Sequence, residues 1–406
     1  MASDRAARLL RKREHPRQAS ALELFFDLAF ILGLTLLSRR LFDDLTWGNT
    51  LETLILFAGA YWIWIATAWA TDWYNPNEPI IQGLVLCIMF VGLVMVAAVP
   101  GAFGAHGFIF AGAYVLVHLG RGVLLFSLLR GHPLQRRSLL VLIWFVISGV
   151  PWMVGAFRPE TERVVLWLVA LAIDYGIAWL GWPTPGLGRV PDENLRNVGE
   201  HLSERYQQVF IIALGEVILV SGLAYAAAGI TPLRTLAFGL AFLNVVLLWR
   251  GYLIPGDLRI GGILDQNRPR LAVSVALCHA MVIAGTLLTA VGNEVLVTEP
   301  LSEPQSAWVM LIVGGAALFL IARILYHVAV FHRLPWPGLV GLAILGLLSP
   351  VLLLLHPMGI SAVSNVALFG AVAVDIYLIR RAVREGRISA PPGEDPLTLD
   401  GGEGKR

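Results

Sequence analysis

Charge is scarce in this sequence. Only 14% of its 406 residues are Asp, Glu, Lys or Arg, where a soluble globular chain carries about a quarter. With a mean hydropathy of +0.72, that deficit excludes the disordered, collagenous and ordinary cytosolic classes. Cysteine is sparser still: Cys87 and Cys278 are the only two, both in apolar runs, so no disulfide framework is indicated. No stretch is polar enough to be a separate soluble domain. Also lacking are a Gly-x-x-x-x-Gly-Lys-Ser/Thr loop, a Gly-x-Ser-x-Gly elbow and a Gly-x-Gly-x-x-Gly turn at a strand–helix junction. ATP-driven transport by this chain alone and serine hydrolysis are therefore unsupported. His118, His279 and His327 lie in different apolar runs with no His-x-x-x-His spacing, so neither a metal nor a cofactor is expected.

What is present is hydrophobic length. At roughly 20 apolar residues per crossing, the 57% hydrophobic content is enough for about twelve spanning helices. The runs lie near 22–38, 50–71, 80–99, 106–128, 138–157 and 163–181, then 206–228, 233–254, 271–291, 306–331, 335–355 and 360–379. Lipid offers no partner for open backbone groups, so runs of this length must be helices. The expected fold is an all-α polytopic transmembrane bundle. Its parts are a basic cytosolic N-terminal segment (1–20), a six-helix half (21–181), a cytosolic linker (182–205), a second half (206–380) and a disordered cytosolic tail (381–406). Residues 1–20 lack the apolar core of a signal peptide, so the first run reads as an uncleaved span.

Basic residues set the orientation. With the N-terminus inside, cytosolic segments hold 22 Lys/Arg and external ones five. The positive-inside rule then places both termini in the cytosol of an inner-membrane protein. Residues 292–305, with three Glu and no Lys/Arg, suit an external loop. The basic termini read as topology signals and contacts to anionic lipid, with no call for nucleic acid. Trp47, Trp73, Trp182, Trp308 and Trp336 sit at span edges, like interface anchors.

A weak internal repeat runs through the chain. Leu-Val-Leu-Cys87 answers Val-Ala-Leu-Cys278, Arg121 answers Arg323, and Ala-Ile-Asp174-Tyr175 answers Ala-Val-Asp375-Ile-Tyr377, at offsets of 191, 202 and 201. Six spans per half would make the repeats parallel, a plan found among transporters.

Ala21-Leu-Glu23-Leu-Phe-Phe-Asp27-Leu-Ala-Phe30, Thr71-Asp72-Trp73-Tyr74 and the stretch from Glu204-Arg205-Tyr206 to Ala-Leu-Gly215-Glu216 resemble the bacterial low temperature requirement A family. The resemblance covers most of the chain. It implies a polytopic inner-membrane protein, and the family name records a growth phenotype without supplying a reaction.

Intramembrane charge costs at least about 2.5–3.5 kcal/mol per group, so each charge needs a reason. Glu23 and Asp27 share a helix face at i, i+4, His118 and Arg121 pair at i, i+3, and Arg323 and His327 at i, i+4. Asp174, Glu204, Arg205, Glu216 and Asp375 complete the set. Most fall in the cytosolic half of the membrane, and only Glu216 approaches the midplane. Six carboxylates against three Arg cannot all pair, so some must be protonated, solvated or bound to a cation. Snorkelling and purely structural ion pairs are the bland alternatives for this layer.

The expected activity is a secondary transporter or proton- or ion-coupled permease for a small solute. Glu216, Asp27, Glu23 and Asp174 are its candidate proton-relay or acid–base groups. Arg121, Arg323, Glu204, Asp375, Asp72, His118 and His327 are its candidate binding groups. The alternatives are an intramembrane enzyme doing acid–base chemistry on a lipophilic substrate, and a structural or regulatory membrane protein. Arg121 is expected to pair with Asp174, Glu23 or Asp27, and Arg323 with Asp375 or Glu204. Glu216 is expected to be the functional acid, with Gly215 giving a neighbouring helix or substrate room to approach.

Overall fold

The computed structural model describes residues 8–11, 19–191, 199–256 and 269–385. Much of the basic N-terminal segment, part of the linker and the tail expected to be disordered lie outside these residues. The rest forms twelve α-helices. The first half holds α1 (Ala21–Asp43), α2 (Trp47–Trp73), α3 (Pro79–Ala97), α4 (Gly107–Leu128), α5 (Leu134–Ala156) and α6 (Glu160–Trp179). The second holds α7 (Gly199–Ala228), α8 (Pro232–Gly256), α9 (Pro269–Thr298), α10 (Ser306–Phe331), α11 (Trp336–Leu352) and α12 (Pro357–Arg384). Each coincides with one expected run. Ten are long and apolar enough to cross a membrane. The exceptions are α6, which carries Glu160, Glu162, Arg163 and Asp174, and α11, only 17 residues long.

Three boundaries differ from expectation, each because the extra turns find polar partners. Helix α1 runs on through Arg39 and Arg40, which pair with Glu294 and Glu52. Helix α9 continues to Thr298, so Glu294 belongs to a helix and not to an external loop. Helix α7 begins at Gly199, and its first turns, assigned above to the linker, are packed into the bundle.

Local chemistry sets the helix ends. Ser20 and Glu23 form a reciprocal capping box at the start of α1: the Glu23 amide donates to Ser20 Oγ (3.3 Å) and the Ser20 amide to Glu23 Oε2 (2.8 Å). At the opposite end, buried Arg163 donates to the carbonyls of Gly155, Ala156 and Arg158 behind α5 and of Ala102 and Gly104 before α4. Carbonyls a helix end leaves open are thus satisfied by a guanidinium.

The two halves share a packing plan. In the first, α1 lies against α2 and α3, α3 against α4, α4 against α5, α5 against α6, and α6 returns to α2. Each of these contacts recurs in the second half with its counterpart helix, as the internal repeat requires. Across the seam α1 packs on α7, and α9 reaches α1, α2 and α6. Within the second half α9 and α10 come close enough that a Cβ on Gly315 would lie 2.8 Å from the Thr289 amide nitrogen, the small-residue packing membrane helices favour.

Candidate functional site

The seam carries a buried charge cluster where α1 starts, α2 ends and α7 starts. Glu23 and Asp27, one turn apart on α1, face Arg205 of α7. Nη1 of Arg205 lies 3.1 Å from Glu23 Oε1, and its Nη2 donates to Asp27 Oδ1 at 2.5 Å. Trp64 of α2 donates its indole N–H to the same Asp27 oxygen at 2.8 Å. His201, one turn before Arg205, stands between Glu23 Oε1 and Asp72 Oδ1, 3.0 Å from each. Arg11 enters from the N-terminal segment, with Nη1 2.8 Å from His201 Nε2, while its amide donates to the Trp73 carbonyl at 3.0 Å. Three carboxylates thus face two guanidiniums, with the His201 imidazole between them. All but Arg11 are almost wholly buried, so the cluster binds α1, α2 and α7 together. Arg205 is not snorkelling: none of its surface is exposed.

Glu204, beside Arg205, turns aside. It accepts from the Ala19 amide at 3.0 Å and from Gln208 at 3.3 Å, and it makes no contact with Arg323.

Glu216 lies three turns further along α7. Its carboxyl is buried with no ion-pair partner, and the side chain that faces it is Thr35 of α1, whose hydroxyl donates to the Ile31 carbonyl and leaves neither carboxyl oxygen within hydrogen-bond distance. The close approach expected at Gly215 is absent: a Cβ there would meet nothing within 4 Å.

Asp174 of α6 is held by neutral donors. Tyr114 gives it a 2.6 Å hydrogen bond and the Trp152 indole a 3.5 Å one. It therefore makes no pair with Arg121, and neither do Glu23 or Asp27, which belong to Arg205. The reason is register along α4: Tyr114 lies seven residues before Arg121, a rise of about 10 Å. Among the described residues Arg121 has no carboxylate partner. It donates to Thr67 Oγ1 (3.3 Å) and His118 Nδ1 (2.8 Å) and lies over the Phe145 ring.

In the second half the expected pair forms: Arg323 Nη2 donates to Asp375 Oδ2 at 2.7 Å. Its neighbour His327 packs edge-on to Tyr326, and both line a small apolar cavity with Arg323. His279 is a core residue, its Nε2–H donating to the Tyr206 carbonyl (3.0 Å) and its Nδ1 3.0 Å from the Tyr61 hydroxyl, which donates to the Ala276 carbonyl (2.9 Å). Trp182, taken above for an interface anchor, is buried.

The model of the bacterial low temperature requirement A protein family matches residues 18–373. This chain belongs to that family. It is also 30% identical over 389 residues to an uncharacterized protein of Rhizobium meliloti (strain 1021), covering 95% of each chain. No solved structure matches. The family model begins just ahead of the capping box of α1 and ends within α12, so it takes in the seam residues Glu23, Asp27, Asp72, His201 and Arg205 as well as Arg121, Asp174, Glu216 and Arg323, and leaves Arg11 and Asp375 just outside.

Sequence reasoning missed His201, Arg11 and Arg137. His201 was detectable, because it lies at i−4 from Arg205 on the same helix face. Arg11 was not, because it sits in a basic segment whose other members carry topology. Arg137 lay at a span start, where a snorkelling cation is ordinary.

Proposed function

We propose that this family member is a proton-coupled secondary transporter of a small solute, set in the bacterial inner membrane with twelve spans and both termini in the cytosol. Glu216 carries the proposal: a buried carboxyl within the apolar stretch of α7, beside the α1–α7 seam between two similarly packed halves, with no ion-pair partner and only the Thr35 hydroxyl facing it. A carboxyl held so has no charged partner to lose on changing its protonation, which suits a proton carrier that responds to movement of one half against the other. Glu23 and Asp27 serve as the anchored side of that seam, locked to Arg205.

An untargeted metabolite and lipid profile of a deletion strain, complemented with a Glu216→Gln copy, tests the role. Gln keeps the shape and the hydrogen-bonding capacity but cannot titrate. The expected outcome is normal expression with activity lost, and full complementation around neutral pH would remove Glu216 from the mechanism. For the topology, reporter fusions after Pro300 and after Pro335 should report opposite sides of the membrane. The same side for both would overturn it.

A second possibility, an intramembrane acid–base enzyme on a lipophilic substrate, draws on the aromatic cavity beside Arg121 and His118. The same profile separates the two: a transporter redistributes a solute, whereas an enzyme accumulates an unprocessed lipid.

A further inference from the structure

A cavity of about 100 Å³ lies among α2, α4, α5 and α6, with α9 closing one side. That is room for several water-sized groups. Its wall is unusual in having one kind of hydrogen-bonding capacity to spare.

Arg121 and Arg137 both line it, and no carboxylate does. Arg121 is 5% exposed and has only the neutral Thr67 and His118 as hydrogen-bond partners. A guanidinium can only donate, so His118 Nδ1 must accept from it and the proton of the neutral ring sits on Nε2. That Nε2 is buried with no partner. Trp62, also on the wall, has its indole N–H buried and unbonded. Arg137 stacks over Trp73 at 4.5 Å, and its Nη1 is buried without a partner. The carboxylate whose field reaches Arg137, Asp72, makes no ion pair with it and is engaged by His201. Two cations and two further N–H groups thus border a space with no anion. Burying such donors unmet costs free energy unless something accepts from them.

The rest of the wall states what the acceptor is attached to. Trp69, Phe145 and Trp182 give flat apolar surface next to the donors. A small inorganic anion would satisfy the cations and leave these rings unused.

We propose that this cavity binds an organic anion: a carboxylate or phosphate head held by Arg121, Arg137, His118 and Trp62, with an apolar body lying on the aromatic wall. Such a head belongs either to an anionic membrane lipid or to a soluble acid, and the site is independent of whether the protein then moves or transforms what it holds.

The test uses the purified full-length chain in an uncharged maltoside detergent and follows thermal unfolding and tryptophan fluorescence. One arm adds octanoate or octyl phosphate against the neutral octanamide. The other adds dioleoylphosphatidate against dioleoylphosphatidylcholine. Saturable stabilisation by the anion but not by its neutral counterpart is expected in at least one arm, and the responding arm names the source. Arg121→Gln and, separately, Arg137→Gln should each weaken that response by about tenfold or more. Equal responses to anion and neutral counterpart, or none to either anion, would overturn the site without any variant being needed. So would an undiminished response in both variants. Loss of proton coupling in Glu216→Gln with anion binding intact would leave the two proposals separately decided.

Discussion

Each half of the molecule buries one arginine at the same place on its fourth helix, and the two halves treat it differently. Arg323 is met by Asp375 at 2.7 Å. Arg121 has its counterpart aspartate, Asp174, in the sequence, but Tyr114 and Trp152 have taken that carboxylate. The second half therefore closes this arginine internally, while the first leaves its own facing a cavity. A similar contrast separates α3 from α9. Helix α3 has 28% of its apolar stretch buried and α9 has 67%, so Cys87 is exposed and Cys278 buried. The comparison teaches that a shared packing plan does not fix the electrostatics. Of these two arginines, one is closed by the aspartate of its own half and the other is left facing a cavity.

The seam cluster is the reference against which both arginines can be judged, and it should give the largest effect. Arg205→Met would leave Glu23 and Asp27 buried one turn apart with their main counter-ion gone. Breaking one side of a buried ion pair costs about 3–5 kcal/mol. The expected outcome is a large fall in thermal stability in detergent, partly recovered by adding Glu23→Gln and Asp27→Asn. A stability within experimental error of the parent would mean that the cluster does not hold the halves together.

Much of this was legible beforehand, and the limits have physical causes. Twelve apolar runs became twelve helices because lipid permits nothing else at that length. Glu23, Asp27, Asp174, Arg205, Glu216, Arg323 and Asp375 were singled out because charge at such depth needs a reason, and all but the half-buried Asp375 are buried. Pairing was half legible. Arg323 with Asp375 followed from residue type and depth, but Arg121 with Asp174 failed because a tyrosine hydroxyl competes with a guanidinium, and depth along a helix does not reveal that. The helix extensions at Arg39–Arg40, His201–Arg205 and Glu294 were hidden for one reason: a hydropathy run stops at the first charge, whereas a helix continues wherever that charge has a partner. The cavity could not be read at all, since it depends on which groups lack partners.

Arg323→Gln comes next in size. It leaves Asp375 Oδ2 without its guanidinium, but both side chains keep some exposure, 10% and 14%. The carboxyl can therefore take up water or a proton. The expected loss is about 1–3 kcal/mol, read as a lowered unfolding midpoint. The double variant Arg323→Gln/Asp375→Asn should recover most of it, because amide and amide can hydrogen-bond where carboxylate and amide cannot balance charge. A double variant as unstable as the sum of its single variants would show that the two groups do not act as a pair.

Arg121→Gln should have the smallest effect on stability, and its smallness is the sharpest test of the difference between the halves. No carboxylate is orphaned by the change, since Asp174 keeps Tyr114 and Trp152. The bonds to Thr67 and His118 are lost or exchanged for those of an amide, each worth about 0.6 kcal/mol on average between membrane helices. Against this, an uncompensated guanidinium no longer has to be desolvated. The two terms oppose each other, so the net change should lie within about 1 kcal/mol of zero, of either sign. Side by side, Arg323→Gln should lower the unfolding midpoint in ligand-free detergent and Arg121→Gln should not. Adding octyl phosphate or dioleoylphosphatidate should then separate them in the opposite sense, stabilising Arg323→Gln as it does the parent and Arg121→Gln only at about tenfold higher concentration or more. If Arg121→Gln is as damaging as Arg323→Gln without any added anion, Arg121 has a counter-ion within the chain. The first half is then closed like the second.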